Sequence, residues 1–135
     1  METPQNVVNF WNRVIAAQPD FEPEKESLCA IMLNTKLRPY AWNRISLGSI
    51  NGTVAEPREV FRPVIAASAY AFVLIHNHPS GDPTPSRLDE EFTRIIIDCA
   101  KILHIEFMDH IIVPSGDFLE DPAAHYSFRA AGIIT

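Results

Sequence analysis

The sequence predicts a three-layer α/β fold, and three observations carry that expectation. Strand-like and helix-like patterns alternate along the chain. Ser27–Leu33 is apolar on both faces, the pattern of a central strand, and Tyr70–Ile75 and Phe107–Val113 read as further buried strands. Between them, apolar residues recur at helical spacing behind capping or proline signals. At 135 residues and 15.2 kDa the chain fits one domain over residues 1–135, large enough to bury a core without disulfides. Residues 1–20 are expected to form an N-terminal helix and connector, and 24–135 the core.

Thr3-Pro4 opens the first helix, a capping residue followed by proline in the first turn. Val7, Trp11, Val14 and Ile15 mark its inward face through about Ala17, and Gln18 to Pro23 is a connector. After Ser27–Leu33, Pro39 interrupts, and Tyr40–Leu47 continues as a more exposed strand ending at Gly48. Asn51-Gly52 signals a turn. Pro57 starts a second helix with Val60, Phe61, Val64 and Ile65 facing inward. The strand Tyr70–Ile75 runs into His76. Ser86 to about Leu103 is the longest helix, with Phe92, Ile95, Ile96, Cys99 and Leu103 at helical spacing. Phe107–Val113 follows, closed by Pro114 to Asp117, and Tyr126–Ala131 reads as a short helix stopped by Gly132.

Composition narrows the function. The net charge is −6 and the pI about 5.3, a poor footprint for gripping a phosphate backbone, so nucleic-acid binding is disfavoured. No apolar run has the length to span a bilayer, and the N-terminus carries no signal-peptide core. Cys29 and Cys99 both sit in apolar patterns and read as buried, reduced and quiet. A cytosolic, cytoplasmic location is the expectation.

The stretch from His76 to Asp89 holds the chemistry. Alternate residues of a strand point to one side, so His76 and His78 face a common point. A helix beginning at Ser86 carries Asp89 on its first turn. Two imidazoles and a carboxylate converging from two rigid elements make a three-ligand metal site with an open position, the catalytic arrangement. The prolines at 79, 83 and 85 stiffen the loop between the two elements. Ser86-x-x-Asp89 also fits a capping box, which requires no metal.

The spacing His76-x-His78-x7-Ser86-x-x-Asp89 resembles the JAMM signature of the JAB/MPN metalloproteases. The flanks His76-Asn77-His78-Pro79-Ser80-Gly81, Pro57-Arg58-Glu59-Val60 and Asp109-His110-Ile111-Ile112-Val113 resemble the RadC-like branch, from about Glu26 to the C-terminus. The resemblance implies a JAB/MPN, cytidine-deaminase-like domain whose mixed, mostly antiparallel sheet is flanked by helices. It also implies zinc (Zn2+) held by His76, His78 and Asp89, a glutamate acting as general acid/base, and a helix-borne serine, Ser86, donating to the oxyanion. Glu26, just before the first core strand, matches the glutamate position; Glu59, in the Pro-Arg-Glu segment, is the competitor. The activity implied is amide hydrolysis on an unidentified peptide or protein substrate, through a water whose pKa zinc lowers to about 7.

Two other readings accompany it. RadC-type proteins carry a DNA-repair association, which the acidic charge and the single short helix expected ahead of the core weaken. A non-catalytic scaffold of the metal-free MPN kind ranks last, because the ligands are present. The string His-Asn-His is not the HNH nuclease motif, and the zinc deaminases' His-x-Glu and Pro-Cys-x-x-Cys do not occur. Two histidines and a carboxylate also suit iron, against which the resemblance and Ser86 both argue. His110 reads either as support for the site or as a strand histidine satisfied by backbone. His104 and His125 read as surface residues, and Trp11 and Trp42 as core or partner-facing.

Overall fold

The computed structural model describes residues 1–48, 55–117, 119, 121 and 123–135; the Asn51-Gly52 turn lies outside them. Its elements are α1 (Pro4–Phe10), a π-helical turn (Trp11–Ile15), β1 (Glu26–Leu33), β2 (Pro39–Gly48), α2 (Pro57–Ala66), β3 (Ala71–His78), α3 (Arg87–Leu103), β4 (Glu106–Pro114) and β5 (Tyr126–Ser127). The strands form one sheet in the order β2-β1-β3-β4-β5. β1 pairs antiparallel with β2 and β3, β3 pairs parallel with β4, and β4 pairs antiparallel with β5. The sheet is therefore mixed and mostly antiparallel. The parallel pair is joined through α3, as a crossover between parallel neighbours requires.

Strand alternation sorts the core into two faces. Leu28, Ala30, Met32, Phe72 and Leu74 pack against Val60, Phe61 and Val64 of α2 and Phe92, Ile96 and Ala100 of α3. Cys29, Ile31, Leu33, Val73 and Ile75 pack on the other face against Val7, Val8, Trp11 and Ile15. Helices cover both sides, which gives the three layers. Because residues two apart share a face, Glu26 falls in with Leu28, and His76 and His78 with Phe72 and Leu74, on the α3 side. Thr3 caps α1, accepting the Asn6 N–H while Asn6 accepts the Thr3 N–H. Among the described residues, no helix is long and apolar enough to cross a membrane.

Several local expectations need correction. Tyr126–Ala131 is not a helix: Tyr126–Ser127 extends along β4 as β5 and turns follow, with Gly132 at φ +86 closing them. The cause is tertiary, because Asp109 accepts hydrogen bonds from Ser127 Oγ and the Arg129 N–H and pins that segment to β4. Ile65, Ile95 and Leu103 are exposed, so the buried stripes of α2 and α3 are narrower than the apolar pattern. Cys99 is half-buried, whereas Cys29 is fully buried; burial pushes the Cys29 thiol up to about 12 and keeps it unreactive.

Candidate metal centre

Three elements meet where the ligands were expected. β3 ends at His78, β1 begins at Glu26, and α3 starts behind Ser86. The antiparallel register pairs Leu28 with His76, which brings the first residue of β1 alongside the end of β3. Ser86 is the N-cap of α3: its Oγ accepts the Asp89 N–H at 3.1 Å, and Asp89 Oδ2 accepts the Ser86 N–H at 2.8 Å. The capping box thus forms, and it holds the carboxylate of Asp89 toward the strand. The Ser86 hydroxyl, an acceptor in that box, keeps its own proton to donate. Gly116, at φ +87, backs the loop after His78; a Cβ there would collide with the Pro79 carbonyl oxygen.

Glu26, His76, His78 and Asp89 each contribute one ligand atom to a cluster in which all lie within 4.8 Å of one another. His76 Nε2 is 3.0 Å from His78 Nε2 and 3.4 Å from Asp89 Oδ1, and His78 Nε2 is 3.1 Å from Asp89 Oδ2. Ligand atoms about 2.0–2.1 Å from one tetrahedral ion stand about 3.3 Å apart, so the two Nε2 atoms and the Asp89 carboxylate have the spacing of groups that could share a metal ion. Glu26 Oε1 stands slightly further off, 3.4 Å from His76 Nε2 and 3.9 Å from His78 Nε2. Glu59 is not in the cluster; its Oε1 accepts the Glu56 N–H and caps α2.

Hydrogen-bond direction argues for a cation more strongly than distance does. The Thr93 hydroxyl donates its single proton to the Asp89 carbonyl at 2.7 Å, so Thr93 Oγ1 must accept from His110 Nδ1–H, also at 2.7 Å. His110 then offers Nε2 as an acceptor, and His76 Nδ1–H donates to it at 2.8 Å. His78 Nδ1–H donates to the Asp82 carbonyl at 3.0 Å. Both imidazoles are therefore left with a lone pair on Nε2. Those lone pairs stand 3.0 Å apart among carboxylate oxygens, an arrangement that repels itself unless a proton or metal cation lies within.

The electrostatics follow the same pattern. Burial acts against charge on Asp89, but the imidazoles of His76 and His78 outweigh it and hold its carboxyl far below the usual range. Burial raises Glu26 above the ordinary carboxylate range against the pull of the same histidines. Burial likewise opposes the charge of His78, and the hydrogen bond to Asp89 overcomes it, so its pKa is raised. His110, buried and beside His76, is held well below the usual histidine range and stays neutral, as an acceptor of the His76 proton must. Its alternative reading, a histidine satisfied by backbone, fails because both ring nitrogens are engaged by side chains. His104 is exposed and caps the C-terminus of α3 in the left-handed region, and Trp11 is core, edge-on to Phe21.

The sequence reading passed over Thr93 and took Asn77 only as part of the His76-Asn77-His78 string, with no role of its own. Thr93 looks like one more residue of an apolar helix face, and only the packing of α3 on β4 gives it a partner in His110.

The fold agrees with what the chain is similar to. The family model for the RadC-like JAB domain matches residues 1–133, so α1 falls inside the shared region rather than before it. A UPF0758 protein of Caldanaerobacter subterraneus subsp. tengcongensis is 47% identical over 92 residues, 68% of this chain and 40% of its own. One from Desulforamulus reducens is 44% identical over 111 residues, 82% of this chain and 46% of its own. One from Trichlorobacter lovleyi is 37% identical over 132 residues, 98% of this chain and 52% of its own. The chain spans about half the length of the curated relatives it matches. With the match running nearly end to end, this chain belongs to the RadC-like JAB domain family.

Proposed function

We propose that this chain is a zinc-dependent metallopeptidase or isopeptidase acting on a peptide or protein substrate. The single observation that carries the reading is the pair of Nε2 lone pairs, fixed by two separate donor chains and aimed at Asp89 with Glu26 beside them. His76, His78 and Asp89 would hold the ion. When bound, zinc supplies Lewis acidity and lowers the pKa of a water to about 7.

The chain's own groups do the rest. Glu26, whose raised pKa suits a group that both accepts and returns a proton, takes the proton of the attacking water and delivers it to the leaving amine nitrogen. Asp89, held charged, serves as ligand; two carboxylates with pKa values pushed apart are a division of labour between base and ligand. The Ser86 hydroxyl donates to the carbonyl oxygen as negative charge develops there.

The experiment adds zinc-loaded protein to a proteome and maps new N-termini and freed lysines, alongside the Glu26→Gln variant. Glu26→Gln should keep its zinc and lose roughly 10²–10⁴-fold in rate. Loss of zinc would make Glu26 a ligand, and identical product patterns from the two proteins would overturn the peptidase reading.

A further inference from the structure

We propose that Asn77, the residue between the two histidines, positions Glu26 against them. This rests on the reading of Glu26 as the base.

Asn77 points to the opposite face of β3 from His76 and His78 and is fully buried. Its Oδ1 accepts the Ser27 N–H at 2.8 Å, and its Nδ2 donates to the Lys25 carbonyl at 2.9 Å. Those two groups belong to the peptide bonds on either side of Glu26. One side chain, rooted between both histidines, therefore clamps the backbone before and after the glutamate.

The clamp lies beyond the β1–β3 ladder, whose last pair is Leu28 with His76. Nδ2 also donates to Ser115 Oγ at 2.8 Å, and Ser115 Oγ donates to the Pro23 carbonyl at 2.9 Å. Ser115 is itself held, its N–H donating to the His78 carbonyl at 3.0 Å. Connector, β1 and β3 are thus tied through one carboxamide. The carboxamide orientation is fixed, because only oxygen can accept from Ser27 and only nitrogen can donate to a carbonyl. Aspartate has no donor and leucine neither group, so the position demands an amide of this length.

Asn77 would touch neither substrate nor metal, so it is a positioning residue. A misplacement of about 1 Å at a reacting group costs up to ~10²-fold in rate. Zinc-loaded Asn77→Ala should hold zinc within roughly three-fold of wild-type affinity by chelator competition. It should cleave a peptide taken from the mapped sites about 10- to 10²-fold more slowly. In the Glu26→Gln background the same substitution should cost no further rate, since there is no base left to misplace. Equal losses in both backgrounds, or an empty metal site, would overturn the proposal.

Should Asn77→Ala fail to fold, Ser115→Ala removes one arm of the clamp and should show the same background dependence at smaller size. If the wild-type protein cleaves nothing, the peptidase reading falls and the placement is still tested by amide exchange. Exchange at Ser27 should accelerate roughly ten-fold or more in the variant while Leu74 is unchanged, as local opening predicts. Unchanged exchange at Ser27 would sink the clamp.

Discussion

Two sheltered carboxylates lie on opposite sides of this sheet, and what surrounds them differs in kind. Asp109, on the α1 side, meets only donors: Ser127 Oγ–H at 2.6 Å, the His110 N–H at 2.7 Å and the Arg129 N–H at 3.0 Å. Arg129 reaches past it to the Met108 and Phe107 carbonyls and secures the same tail. Asp89, on the α3 side, accepts one backbone N–H and otherwise faces the Nε2 atoms of two imidazoles whose protons are committed elsewhere. A buried acid ringed by donors is complete and structural. An acid grouped with other acceptors is complete only with a cation.

That contrast can be broken most decisively at His78. His78→Ala should take the protein from about one bound zinc per chain to none, measured by metal analysis after dialysis, because a site of three metal-holding side chains has none to spare. Asp109→Ala should do the reverse. It strands three donors and costs on the order of 3 kcal/mol in chemical denaturation, while zinc affinity stays near wild type. If Asp109→Ala empties the metal site, the two regions are not independent.

Thr93→Val sharpens the comparison. It removes the acceptor that fixes the tautomer of His110 and, through it, of His76. Zinc affinity should fall about 10- to 100-fold, with little change in unfolding free energy of the metal-loaded fold beyond that linkage. An unchanged affinity would show that His76 presents Nε2 without the chain behind it.

The smallest expected effect is in pH dependence, and its sign differs between the two acids. Asp89 is lowered on folding, so in the metal-free protein its contribution is present above the unfolded carboxylate value of about 4 and is lost as pH falls below it. Asp109 is raised, burial outweighing its three donors, so its contribution is full below about 4 and is lost as pH rises through the folded value. Replacing each by Asn should therefore remove slopes of opposite sign from the stability profile, Asp89's below about pH 4 and Asp109's above it. Slopes of the same sign would contradict the contrast.

How much of this was legible in the sequence divides along local and non-local lines. The period of two put His76 and His78 on one side, and Ser86-x-x-Asp89 set both the cap and the direction of Asp89, all within fourteen adjoining residues. The central strands and the three layers followed from apolar runs and alternation. Glu26 rested on a family resemblance, and its proximity to the histidines depends on the β1–β3 register. The partners of His110 and Asn77 lie 17 to 52 residues away, and no local pattern encodes them. The same non-local pull explains why Tyr126–Ala131, helical by pattern, is drawn out along β4 by Asp109.

The most direct test of the converging lone pairs is an anomalous difference map at the zinc edge from crystals of the zinc-loaded protein. One strong peak should lie about 2.0–2.1 Å from Nε2 of His76, Nε2 of His78 and a carboxylate oxygen of Asp89. A peak bonded through Nδ1 of either histidine, or none within reach of all three residues, would contradict it.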